Sequence, residues 1–179
     1  MKTSTLLFIL VLLPLTPGCS KTKESSQQNQ NAQSQTTSSA ATADSPTGDR
    51  GTPAEAQAML QKAFEHYGSV GRKQALDDFT AKKPPFFDHD LYVVCISPDH
   101  LITANGGFPQ YVNGSSDLLR DADGKPLGEA IVDVVQSTGA GSVEYRWLNP
   151  ASKKIEPKTM FARKFGSDVC GVGVYSPRS

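Results

Sequence analysis

The chain has 179 residues and balances 18 Lys and Arg against 18 Asp and Glu, so its net charge is zero. That balance gives no electrostatic case for binding nucleic acid or anionic lipid. Only 37% of residues are hydrophobic and three are cysteine, which bounds the chain to about one core-forming domain plus polar segments.

Lys2 precedes a short apolar run, Leu6 to Leu13, which is too short to span a bilayer. This pattern reads as a secretory signal over residues 1–18. It ends in "LTPGC", which resembles the lipobox of bacterial lipoproteins, with Cys19 as the lipidated residue. The box departs from the usual pattern, since Thr16 stands where leucine is common. Ordinary signal cleavage is the alternative. Ser20, rather than an aspartate, follows Cys19 and resembles outer-membrane sorting in cells with two membranes. Residues 20–51 are Ser, Gln, Thr and Asn with almost nothing apolar. Such a segment cannot bury enough surface to offset the entropy of ordering it. Residues 19–51 are therefore expected to be a flexible spacer on a lipid anchor.

The domain is expected over residues 52–179. "TPAE" opens a helix with Thr52 as N-cap, Pro53 at the first position and Glu55 completing a capping box. Ala56, Leu60, Ala63, Phe64 and Tyr67 form its apolar stripe, and Gly68 is the expected stop. A second helix is expected over about Val70 to Thr80, and Pro84-Pro85 closes it. The period then changes to that of strands, at Leu91–Ser97 and Leu101–Asn105. A long connection holds a turn at Asp121–Pro126 and a helix at about Leu127 to Ser137, stopped by Gly139. Three strands finish the chain: Ser142–Leu148, Lys158–Phe165 and Val169–Tyr175. The order suits an α+β domain with one five-stranded antiparallel sheet, helices on one face and a helical crossover on the other.

Catalytic and metal readings are weak. Gly124 as the sixth residue of a calcium loop would put Leu119 at the first ligand position, so Asp121–Gly124 reads as a turn. His66, His89 and His100 lack metal-ligand spacing. Asp88-His89-Asp90 reads as a solvated turn. No serine elbow, phosphate loop or cofactor motif is present. The chain is not expected to be an enzyme.

The elements "FFDHDLYVVCIS", "LITANG", "VEYRWLNP", "EPKTMFARKF" and "VCGVGVY" together resemble a single Cache domain of the second type, over about Ala54 to Tyr175. The resemblance implies a PAS-like sheet with strand order 2-1-5-4-3 and a long N-terminal helix. It also implies an extracytoplasmic sensory module for small molecules, often carboxylates or amines. No signalling domain is expected after it. A membrane sensor protein is then the expected partner, and an interaction module that binds no ligand and docks on such a sensor or on an enzyme is the alternative.

In that strand order the first and last strands lie side by side. Cys95 and Cys170, in an exported chain, are then expected to form a disulfide. The bond would put Leu91, Val93, Cys95, Cys170, Val172 and Val174 on one apolar face against the N-terminal helix. The other face would carry Tyr92, Val94, Ile96, Gly171, Gly173 and Tyr175, with a hollow at the glycines rimmed by the tyrosines. Either a ligand or the crossover helix could fill that hollow. Arg146 and Lys158 suit a small organic acid, since a guanidinium matches a carboxylate and a lysine adds a second donor. Alternation sets a limit: Tyr145 and Trp147 point one way and Arg146 the other, so a regular strand presents the aromatic pair or the arginine to a ligand, not both.

Overall fold

The computed structural model describes residues 50–176. The signal, Cys19 and nearly all of the expected spacer lie outside the described residues. Helix α1 (Pro53–Val70) starts with the expected capping box: Thr52 Oγ1 accepts from Glu55 N–H, and Glu55 accepts from Thr52 N–H. It runs past Gly68. The stop is Gly71, whose φ of 83° is costly for residues with a Cβ, whereas Gly68 sits in open space within the helix. Helix α2 (Arg72–Thr80) follows directly.

The sheet contains β1 (Phe87–Asp88), β2 (Leu91–Ile96), β3 (Ile102–Asn105), β4 (Ala140–Leu148), β5 (Ile155–Phe165) and β6 (Asp168–Tyr175). Its order is β1-β2-β6-β5-β4, with β3 also on β2, and all pairings are antiparallel. Setting aside two-residue β1, this is the expected 2-1-5-4-3 order. The β4–β5 hairpin is longer than the sequence reading, because Ala140 and Gly141 pair with Arg163 and Ala162, and Ile155 to Pro157 continue β5. Helix α3 (Leu127–Thr138) ends at Gly139, left-handed at φ 80°, whose N–H donates to Val135 O.

Two cores flank the sheet. On one face Leu91, Val93, Cys95, Cys170, Val172 and Val174 pack against Ala56, Met59, Leu60 and Ala63 of α1 and Ala75, Leu76 and Phe79 of α2. Cys95 lies directly opposite Cys170 and the two form a disulfide, as the expected register requires. On the other face Tyr92, Val94 and Ile96 meet Leu127, Ile131, Val132 and Val135 of α3. The face assignment read from alternation therefore holds on both sides.

Several polar groups are buried and partnered. Asp168 is fully buried and accepts from Tyr67, from Arg72 through two nitrogens, and from Thr103. Burial and this carboxylate push the Tyr67 hydroxyl up to about 12. Asp90 departs from the expected solvated turn. Asp88 and His89 are exposed, but Asp90 is fully buried and accepts from Gly51 N–H and Asn149 Nδ2. Arg50 and Gly51, which composition puts in the spacer, are buried as well. Arg50 donates to Glu156 and Ser176 O, fastening the entry of the chain to the ends of β5 and β6. Asp121 ties its turn by accepting from Asp123 and Lys125 N–H.

Candidate functional site

The pleat decides which side chains meet on the α3 face of the sheet. Tyr145, Lys158 and Tyr175 are consecutive cross-strand partners on β4, β5 and β6. Two residues away on that face, Met160 pairs with Gly173, and Tyr92 on β2 lies beside Gly173. Tyr92, Tyr145 and Tyr175 are buried, and Lys158 is only 1% exposed.

The glycine hollow is real, but neither a helix nor an open pocket fills it. A Cβ on Gly173 would lie 2.4 Å from Lys158 Cε and 2.9 Å from Tyr145 Oη, and one on Gly171 would lie 2.9 Å from Met160 Cγ. The missing side chains give room to Lys158 and Met160 of the neighbouring strand. Lys158 Nζ then sits 4.0 Å from the Tyr92 ring centroid and 4.1 Å from that of Tyr175. Such contacts are favourable for a cation, but they are not hydrogen bonds. Nζ has no hydrogen-bond partner. A buried ammonium without an acceptor is costly, and burial pushes its pKa down to about 7 from 10.5, with Asp90 opposing the shift. Burial pushes the Tyr92, Tyr145 and Tyr175 hydroxyls above their ordinary range, so they stay protonated. Tyr175 donates to Leu148 O.

A small cavity of about 20 Å³ adjoins this cluster, lined by Tyr92, Tyr145, Trp147, Met160, Phe108 and Asn105 among others. That is space for about one water, so a larger ligand must part these side chains. Phe108 stands edge-on to Tyr92 and Trp147, with ring centroids 6.1 and 5.9 Å away. A more open cleft of about 300 Å³ lies on the other side of Tyr145 and Leu127, between α3 and β4.

Of the residues singled out in the sequence, the fold gathers Tyr92, Tyr145, Lys158, Gly171, Gly173 and Tyr175, with Trp147 partly buried beside Tyr145. Arg146 does not join them. Alternation turns it away, its side chain is half exposed, and it pairs with Asp123 at 2.9 Å. The aromatic pair, not the arginine, faces the cavity. Sequence reasoning missed Phe108, Asn105 and Asp90. "NGGF" carried a signal: Asn105 Oδ1 accepts from Phe108 N–H, and a Cβ on Gly107 would run into the Tyr92 ring.

A five-stranded antiparallel sheet in this order, with a long N-terminal helix behind it and a helical crossover over a small aromatic cavity, defines a PAS-like domain. The sequence matches the family Single Cache domain 2 over residues 20–175, so the chain belongs to that family. It is a Cache domain of the extracytoplasmic, ligand-sensing kind. Among solved structures it is similar to a periplasmic sensor domain of a chemotaxis protein, at 25% identity and TM-score 0.59, covering 69% of this chain and 94% of that one. It shares its fold with a methyl-accepting chemotaxis protein from Vibrio parahaemolyticus RIMD 2210633, at 18% identity and TM-score 0.57, covering 68% and 86%. It also shares it with a Cache chemosensory domain described for carboxylic acid recognition, at 24% identity and TM-score 0.53, covering 68% and 86%. No curated protein matches the sequence. Among the described residues, no helix is long and apolar enough to cross a membrane.

Proposed function

We propose that this domain senses a small organic acid, bound on the α3 face of the sheet with its carboxylate on Lys158. The observation that carries the reading is the Lys158 ammonium, buried between two tyrosine rings with no acceptor of its own. A ligand carboxylate supplies the missing partner, and a charge-assisted hydrogen bond in a dry site is strong. Tyr92, Tyr145, Trp147 and Tyr175 wall the anion from water, and Gly171 and Gly173 give the room in which Met160 and Lys158 lie. The structural neighbour described for carboxylic acid recognition supports the same ligand class. The lipobox-like "LTPGC" and the polar segment after it support an anchored domain, held to a membrane by lipid on Cys19 and facing outside the cytoplasm. Its partner in that setting is a membrane sensor protein.

A thermal-shift screen of small carboxylates, amines and amino acids tests the ligand. Stabilisation of the folded protein by carboxylates, lost in Lys158→Met, is the expected result. Stabilisation by amines alone, or by no compound, refutes the acid reading. Intact-mass analysis of the protein from membranes tests the lipid on Cys19.

A further inference from the structure

We propose that Lys158 is also a nucleophile, which captures a small 2-oxo acid as a reversible imine. The inference deepens the reading above and rests on it, since the same face must admit the ligand.

Four observations converge. First, Nζ has no hydrogen-bond partner, so no neighbouring acceptor holds the proton that blocks its lone pair. Second, the lysine stem is buried over Gly173, where any Cβ would collide with Cε. The amine is therefore held in place rather than swinging through solvent. Third, Tyr145 is the cross-strand partner of Lys158, and its Oη lies 2.9 Å from that same Cβ point, on the same side of Gly173 as the lysine stem. Its burial keeps it protonated and thus a proton donor. Fourth, Lys158 is only 1% exposed and the cavity beside Tyr92 and Tyr145 has space for about one water, so bulk solvent is kept from an imine on Nζ. The depressed basicity of Lys158 supports the same chemistry, because an amine that is partly neutral near pH 7 can attack a carbonyl.

The step balances without an oxidant or reductant. The neutral amine forms a bond to the carbonyl carbon, and the π pair moves to oxygen, which takes a proton from Tyr145. Nitrogen gives up a proton to restore the tyrosine. The hydroxyl then leaves as water with the proton that the ammonium released before the attack, and a C=N bond forms. In sum one ammonium and one carbonyl give one iminium and one water. The iminium keeps the positive charge beside the ligand's own carboxylate, so the anion contact survives the reaction. A 2-oxo acid places both groups on adjacent carbons.

The test uses the full chain with its disulfide intact, near neutral pH, with glyoxylate and cyanoborohydride, followed by peptide mapping by mass spectrometry. The expected result is one reduced adduct, on Lys158, while the exposed Lys73 stays unlabelled. No adduct on Lys158, or labelling of Lys158 no faster than Lys73, overturns the imine. A thermal shift with glyoxylate and with glycolate, which has the carboxylate but no carbonyl, separates the two proposals. Stabilisation by both without an adduct leaves the acid site standing and overturns the imine. Stabilisation by neither, without an adduct, overturns both.

Discussion

Lys158 and Tyr175 face each other across β5 and β6, with the ammonium 4.1 Å from the centre of the ring and no hydrogen-bond acceptor near it. Burial has lowered the lysine pKa to about 7, so the folded state binds the proton more weakly than the unfolded chain does. The charged form therefore costs stability on the order of a few kcal/mol at and below neutral pH. As pH rises from about 7 towards 10.5, the unfolded chain holds the proton that the folded state has lost, and stability rises. The ionisable groups facing Lys158 are Asp90, Tyr92, Tyr145 and Tyr175. The three tyrosines stay neutral throughout that window. Lys158→Met, similar in volume and uncharged, should be more stable than wild type at about pH 6.5, and the gap should narrow by about pH 9. Urea unfolding at both pH values checks this. A gap that does not narrow contradicts the depressed lysine.

Gly173 and Gly171 should respond differently to alanine. At Gly173 the new methyl meets the far end of Lys158, a flexible side chain, and the Tyr145 hydroxyl. The domain should fold while losing carboxylate binding, because the ammonium is displaced. At Gly171 the methyl meets Met160 and also the backbone carbonyl of Phe161, which cannot swing away. Gly171→Ala should cost about 1–3 kcal/mol of stability. Thermal melts and ligand titrations on the pair distinguish the two effects, and equal losses of both kinds would contradict the assignment.

Arg146 and Lys158 carry the same charge but should not share a role. Arg146 is half exposed and pairs with Asp123, also exposed, so Arg146→Ala should change stability by no more than about 1 kcal/mol. It should leave carboxylate affinity within roughly twofold, whereas Lys158→Met should remove about tenfold or more. Calorimetric titration with whichever carboxylate stabilises the wild type decides it. A large loss on Arg146→Ala would move the site to the other face of β4.

The parts legible in the sequence were those that alternation and local signals govern. Thr52, Pro53 and Glu55 fixed the start of α1, and Cys95 with Cys170 fixed the register of β2 on β6 once the strand order was known. Period two alone separates Tyr145 and Trp147 from Arg146. What was not legible depends on distances between elements. Gly68 and Gly71 look alike in sequence, and only the path into α2 makes one of them left-handed. Asp90 looks like a surface turn residue until Gly51 and Asn149 close over it. The content of the glycine hollow was undecidable locally, because Lys158 and Met160 reach it from the adjacent strand.

The Cys95–Cys170 bond joins β2 to β6 across 75 residues, a separation that includes the whole α3 crossover. Closing so long a loop stabilises by roughly 4 kcal/mol on the chain-entropy model. Both sulfurs are fully buried in the core under α1, so replacing them with alanine adds a packing loss. The double Cys→Ala variant should fold at reduced stability, with the α3-face site unaltered because the bond lies on the opposite face. Chemical unfolding with matched ligand titrations checks both halves. An unchanged midpoint would mean that the bond does not form in the native protein.

Carboxylate affinity should depend on pH through the same lysine. In the free domain the ammonium titrates at about 7, and a bound anion raises that value by stabilising the charged form. Binding therefore takes up a proton above about pH 7. Affinity should be flat at lower pH, until the ligand's own carboxyl begins to protonate. It should then fall by roughly tenfold per pH unit above 7 until the pKa of the complex is reached. The slope should vanish in Lys158→Met, whose residual binding has no titrating partner in that range. Calorimetry in two buffers of different ionisation enthalpy counts the proton directly. Proton uptake near zero at about pH 8 in the wild type would place the ligand's charge on some other group.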